Sequence, residues 1–149
     1  MWSGTALAVA VTLTAGLAGG VQAAVMGELG DRVGIAPALA FSVLVSMASA
    51  LAIVLVWERS VSGFRDAAQQ PAWLWLGGLM SVYIVLAITI ATPRIGVAAT
   101  IGLVIAGNLV IAAAIDRWGL LGQDELPLTW HRVLGLALLA AGSALTLRT

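Results

Sequence analysis

Residues 93–119 read PRIGVAATIGLVIAGNLVIAAAIDRWG, and this stretch decides the fold. Between Arg94 and Asp116 lie 21 residues without a charge, nearly all of them small and apolar. A helix rises about 1.5 Å per residue, so a run of this length crosses the roughly 30 Å of a bilayer's hydrocarbon core. One amide, Asn108, lies in its second half. The stretch therefore predicts a membrane-spanning helix that carries one polar group.

The composition of the whole chain predicts an integral membrane protein. Of the 149 residues, 61% are hydrophobic and only 9% are charged, whereas soluble domains have about 25% charged residues. The net charge is zero and Lys is absent, so no basic surface suggests a nucleic-acid partner. With no Cys and a single His, neither a multi-histidine metal site nor a thiolate site can form within one chain. We therefore expect no catalytic residues, no cofactor and no bound metal.

Five apolar runs predict an all-α bundle of five transmembrane helices, forming a single transmembrane domain over residues 1–149. The helices are expected at approximately 3–26, 37–57, 72–92, 95–115 and 130–147. Segment 27–36 holds three glycines and three charges, which predicts a turn, and 58–71 predicts an aqueous loop. The short break at 92–94 makes the third and fourth spans an antiparallel hairpin. The first run is expected to span the membrane, because no basic residue precedes it and it is too long for a signal peptide.

The arginines give almost no orientation signal. Basic residues in short loops normally face the cytoplasm. Four arginines fall on the N-terminal side of the predicted bundle (Arg59, Arg65, Arg117 and Arg132), and three fall on the other side (Arg32, Arg94 and Arg148). One interpretation is a weakly set single orientation. The other, which we favour, is that copies insert both ways and pair as an antiparallel homodimer, imitating a ten-helix inverted-repeat transporter.

Neutral polar side chains at membrane depth are the candidate substrate-binding groups: Gln22, Asn108, Tyr83, Ser42, Ser46 and Ser81. An unpaired amide in hydrocarbon costs on the order of 2 kcal/mol or more. Gln22 and Asn108 are therefore expected to face protein or a cavity, and they could bond to each other or hold a substrate. The serines of the second span lie on one helical face, which fits either helix packing or a substrate-lining stripe.

No ionisable residue is predicted in the middle of a span, which argues against a simple buried proton relay. Glu28 and Asp116 are the nearest carboxylates, each just beyond a predicted helix end. Both fit solvated helix-end charges, and Glu28 is the candidate for coupling transport to an ion. The glycines fit helix packing instead of phosphate binding, with Gly16 and Gly20 four apart and Gly135 and Gly142 seven apart.

Several motifs resemble the YdcZ-like family, the five-helix branch of the drug/metabolite transporter superfamily that is related to EamA-type transporters. They are Trp-x-Trp-x-Gly-Gly at residues 73–78, Gly-x-Ala-Ala-Thr at 96–100 and Asp-Arg-Trp-Gly at 116–119. The resemblance covers essentially the whole chain. It departs from the family at Asn108, where Gln is usual, and at Met26, where Asn is often found.

The resemblance implies a transporter built from pairs of five-helix units, in a bacterial inner membrane. We therefore expect a multi-pass secondary transporter of a small organic metabolite, working by alternating access as a dual-topology homodimer within the lipid bilayer. The alternatives are one half of a heterodimer with an oppositely oriented homologue, a non-transporting structural subunit, or a passive channel. The substrate and coupling ion stay open.

Overall fold

A computed structural model describes residues 2–60, 62–122 and 129–146, and its regular secondary structure is helical. The α-helices are α1 (Trp2–Val33), α2 (Ile35–Trp57), α3 (Ser62–Ala68), α4 (Leu76–Ile95), α5 (Val97–Trp118) and α6 (Trp130–Leu145). In the described part of the chain, four helical segments are long and apolar enough to cross a membrane: α1, α2, α5 and segment 72–95, which contains α4. Helix α6 is shorter. The expected all-α membrane architecture is confirmed.

The predicted turn over 27–36 is wrong, because α1 continues through this segment to Val33. Glu28 and Arg32 lie one helical turn apart, and they form an ion pair instead of breaking the helix. Gly30 is also helical, and its missing side chain makes room for a neighbouring helix. The break comes at Gly34 alone, so neither the charges nor Gly27 and Gly30 end the helix.

The break predicted at 92–94 also lies further along the chain than expected. Helix α4 continues through Pro93 to Ile95. Pro93 lacks the N–H that would bond to the carbonyl of Thr89, but one missing bond in the last turn does not end a helix. The chain leaves helical geometry only at Gly96.

The two breaks have the same backbone geometry. Gly34 has φ 91° and ψ 156°, and Gly96 has φ 82° and ψ 161°, a region that essentially only glycine occupies. Each glycine donates its N–H to the residue four positions before it, and its carbonyl accepts from the residue four positions after it. One glycine thus belongs to the hydrogen-bond ladders of both flanking helices. We call these two positions the corner glycines.

The sequence around the corner glycines is also repeated. Residues 32–36 read RVGIA and residues 94–98 read RIGVA, 62 positions apart. Burial follows the same offset, in the pairs Met26 and Ile88, Gly27 and Thr89, Gly30 and Thr92, and Ala38 and Thr100. The chain therefore contains two equivalent helix–glycine–helix segments, α1–α2 and α4–α5.

The chain divides into two compact units, residues 25–90 and residues 1–24 with 91–149. The expectation of a single transmembrane domain stays a prediction.

Within the first unit, α1 meets α4 at Gly30. A Cβ on Gly30 would lie 2.7 Å from Cγ2 of Thr89, so this approach requires glycine. Short helix α3 lies beside the end of α2, in the segment expected to be a loop, and Glu58 Oε2 is 3.3 Å from the position of a Cβ on Gly63.

In the second unit, α6 packs on α5, and one serine of α6 forms a hydrogen bond to α5. The Oγ of Ser143 lies 2.9 Å from the carbonyl oxygens of Gly102 and Leu139, and both carbonyls are acceptors for its single hydroxyl proton. A Cβ on Gly102 would lie 3.1 Å from this Oγ, so a small residue is needed on α5. Sequence analysis instead singled out Gly135 and Gly142. Gly135 lines the groove between the helices, while Gly142 is exposed.

Candidate functional site

The amides Gln22 and Asn108 lie on α1 and α5, and both side chains are exposed within the chain. Among the hydrogen bonds of the described residues, neither amide is donor or acceptor, and the two do not bond to each other. Asn108 is at the centre of α5, far from both helix ends. An amide at this depth cannot face lipid without the cost of an unpaired polar group. Both amides stay candidates for substrate binding.

Helices α2 and α4 carry the other predicted binding residues. Ser46 is at the centre of α2 and exposed, whereas Ser42 is half-buried. On α4, Ser81 and Tyr83 are exposed, with 64% of Tyr83 accessible. In the part of the chain that the structure describes, none of these four hydroxyls has a hydrogen-bond partner. They stay candidates for substrate binding.

Other hydroxyls of the spanning helices donate hydrogen bonds within the chain. This distinguishes them from the hydroxyls that have no partner in the described residues. Thr89 donates to the carbonyl of Val85 and Thr100 to that of Gly96, each at 2.8 Å. The Thr100 bond thus stabilises the turn that begins α5 at its corner glycine. Thr89 and Thr100 are buried. Sequence analysis missed them as packing groups, although the Gly-x-Ala-Ala-Thr motif contained Thr100.

Thr92 differs from these two threonines. It is buried at 8% exposure, yet its Oγ1 has no hydrogen-bond partner among the described residues. It precedes Pro93, so the last turn of α4 has both a missing backbone donor and an unsatisfied hydroxyl. The last turn of α4 is consequently less well hydrogen-bonded than the first turn of α5, on the other side of Gly96.

Glu28, the coupling candidate, is held in an ion pair near the end of α1. Its Oε1 accepts from Arg32 Nε at 2.7 Å. Their side chains are 63% and 72% exposed, respectively, and exposed pairs of this spacing contribute little to stability. The pair keeps a carboxylate and a guanidinium together beside the first corner glycine.

Asp116 lines a groove of about 290 Å³ between α5 and α6. The other lining residues are small or apolar: Leu109, Ala112, Ala113, Gly135, Leu136 and Leu139. Asp116 is half-buried and has an interaction partner. Asp116 is therefore only partly exposed, beside the groove at the end of α5. In the described residues, no group of three His, Cys, Asp or Glu side chains could hold a metal ion.

The six substrate-binding candidates are uncharged hydrogen-bonding groups on helices long enough to span a bilayer, whereas the coupling candidate, Glu28, is charged. Such groups can bind and orient a solute through hydrogen bonds.

The sequence matches one protein-family model over residues 7–145, nearly its whole length, and that family is described as "Putative inner membrane exporter, YdcZ". No curated protein and no solved structure matches the chain. The match and the apolar helices confirm the predicted family and the multi-pass inner-membrane location. The chain belongs to the YdcZ family of drug/metabolite transporter type.

Proposed function

We propose that this protein is one half of a secondary transporter for a small organic solute, completed by a second copy inserted in the opposite orientation. Alternating access would then proceed by rocking of the two copies around the solute pathway. Membership of an exporter family supports transport. The unpartnered polar groups described above support the pairing.

The observation that carries the proposal is the exposure of Asn108 at the centre of α5. An amide in hydrocarbon costs on the order of 2 kcal/mol or more unless it is paired. Within the described chain nothing pairs it, so a second protein surface or a water-filled path must do so. An oppositely oriented copy supplies both, and it places a second Asn108 near the same depth.

Two further observations agree with a paired arrangement. The most apolar 18-residue windows of α1 and α2 contain no residue buried within the chain. Gly16 and Gly20 on α1 have no atom within 4 Å of a built Cβ, which leaves a small-residue seam available to another helix. The near balance of arginines on the two sides permits either orientation.

Uptake into liposomes containing the purified protein tests the proposal. A transporter should show saturable uptake of at least one radiolabelled metabolite, competition by the unlabelled compound, and exchange against a preloaded pool. A passive channel would conduct ions without competition or exchange. A structural subunit would show neither behaviour, and either result would contradict the proposed function.

A further inference from the structure

Another groove, of about 230 Å³, lies between the end of α2 and the short helix α3, within the unit formed by residues 25–90. Its lining residues are Val54, Glu58, Gly63, Phe64 and Ala67. We call it the α2–α3 groove. It is smaller than the roughly 300–1,000 Å³ of pockets that enclose drug-sized ligands, so it has room for a small chemical group.

The α2–α3 groove lies where the chain leaves the membrane. Helix α2 ends at Trp57, whose side chain is 85% exposed. Trp73 and Trp75 follow α3, and both are about half exposed. Tryptophans at the ends of spanning helices lie among the lipid headgroups. The groove is therefore expected to face the headgroup layer of the bilayer.

Glu58 gives the groove a negative charge. In the part of the chain that the structure describes, its carboxylate has neither an ion pair nor a hydrogen-bond partner. Glu58 also follows the last residue of α2, and its N–H bonds to the carbonyl of Val54. The carbonyls of a helix C-terminus add partial negative charge there. Both features favour a cation in the groove.

Positive charges stand next to the lining residues in the sequence. Arg59 follows Glu58, Arg65 follows Phe64, and both arginines are exposed. Guanidinium groups bind phosphate oxygens well, and a carboxylate accepts hydrogen bonds from an ammonium N–H. The segment thus offers partners for a headgroup that carries both a phosphate and a primary ammonium.

Other headgroups match the groove less well. A purely anionic headgroup has no cation for Glu58, and its charge would be repelled by the carboxylate. The quaternary ammonium of choline has no N–H to donate to that carboxylate. The apolar walls, Val54, Phe64 and Ala67, can contact the methylene groups that link the charged parts of a headgroup.

We infer that the α2–α3 groove binds the headgroup of one phosphatidylethanolamine molecule from the surrounding bilayer, with the ammonium donating hydrogen bonds to the Glu58 carboxylate. Gly63 permits this arrangement, because a Cβ at that position would lie 3.3 Å from Glu58 Oε2. The bound lipid anchors the segment between α2 and α4 in the headgroup layer. This lipid site is separate from the proposed solute transport and does not depend on it.

Native mass spectrometry of the purified full chain tests this inference. The protein is released from micelles that contain equal amounts of phosphatidylethanolamine, phosphatidylcholine and phosphatidylglycerol with different, distinguishable acyl-chain masses. We expect phosphatidylethanolamine to bind about tenfold better than the other two lipids, the effect of one hydrogen bond to a charged group. Glu58→Gln should remove this preference while keeping the shape of the side chain.

Two further variants separate the groove from the general charge of the segment. Gly63→Ala keeps every charge but crowds the Glu58 carboxylate, so it should weaken binding of phosphatidylethanolamine severalfold. Asp66→Asn is the matched control, because it removes the same charge from α3 at a position that does not line the groove. Its lipid preference should stay unchanged. All three positions are exposed, so the variants are expected to fold.

Several results would overturn the inference. Equal binding of the three lipids would contradict recognition of the headgroup. A preference that survives Glu58→Gln, or that falls equally in Asp66→Asn, would contradict the role of the groove. Soluble phosphoethanolamine at the concentration of the lipid should leave the lipid bound, and its displacement would assign the site to a soluble ligand instead.

Discussion

Substituting Gly30 should destabilise the protein through a single contact with Thr89. In Gly30→Ala the new Cβ would start 2.7 Å from Thr89 Cγ2, whereas carbon atoms pack at about 3.5–4.0 Å. Thr89 cannot easily turn away, because its Oγ1 is bonded to the carbonyl of Val85 at 2.8 Å. The helices must separate by about 1 Å or the hydroxyl must lose its bond, and overpacking of this kind costs about 1–3 kcal/mol.

The matching test combines Gly30→Ala with Thr89→Ser. Serine keeps the hydroxyl and its bond but lacks the methyl group that meets the new Cβ. Unfolding in mixed micelles with increasing dodecyl sulfate should show a loss for Gly30→Ala and recovery of most of it in the double variant. Gly78→Ala is the control, because a Cβ there has no atom within 4 Å. Equal stability of Gly30→Ala and Gly78→Ala, or a double variant no better than the single, would refute the contact.

Three further predictions follow from the corners, the α5–α6 contact and the ion pair. Gly34→Ala and Gly96→Ala should each lower the free energy of unfolding by about 1–3 kcal/mol, since their positive φ is strained for alanine; an unfolding free energy equal to or above that of the unmodified protein would contradict this. Ser143→Ala should cost about 1 kcal/mol in the same unfolding assay by removing the bond to Gly102, and an unchanged midpoint would rule out that bond. Glu28→Gln should retain solute exchange but lose accumulation driven by a proton gradient, if Glu28 couples transport; unchanged accumulation would exclude it.

In the described part of the chain, hydropathy was sufficient to predict the four helices that are long and apolar enough to span, because a bilayer requires such helices whatever their neighbours are. The fifth predicted span corresponds to the shorter helix α6. The ends of these helices were less predictable. The three charges of segment 27–36 suggested a turn, yet Glu28 and Arg32 satisfy each other within the helix. Pro93 suggested a break, yet it removes only one bond near the end of α4. Local polarity alone does not decide where a helix stops.

The corner glycines are marked in the sequence by a repeated motif, which hydropathy does not detect. The Arg-x-Gly-x-Ala repeat at 32–36 and 94–98 marks both, and a search for self-similarity would reveal it. The packing of Ser143 against Gly102 could not be predicted, because it joins residues 41 positions apart and depends on how α6 docks. The polar candidates for substrate binding were chosen by their chemistry, and they stay a prediction.

Orientation of the chain in its membrane tests the central claim, that two oppositely inserted copies make one transporter. The sequence contains no Cys, so Asp31→Cys places a single thiol near the first corner. Labelling with a membrane-impermeant maleimide, in intact spheroplasts and in inverted vesicles, reports which side this residue faces. We predict that each preparation labels a substantial fraction of the copies, and that the two fractions together account for all of them. Labelling of every copy from one side only would contradict the antiparallel homodimer.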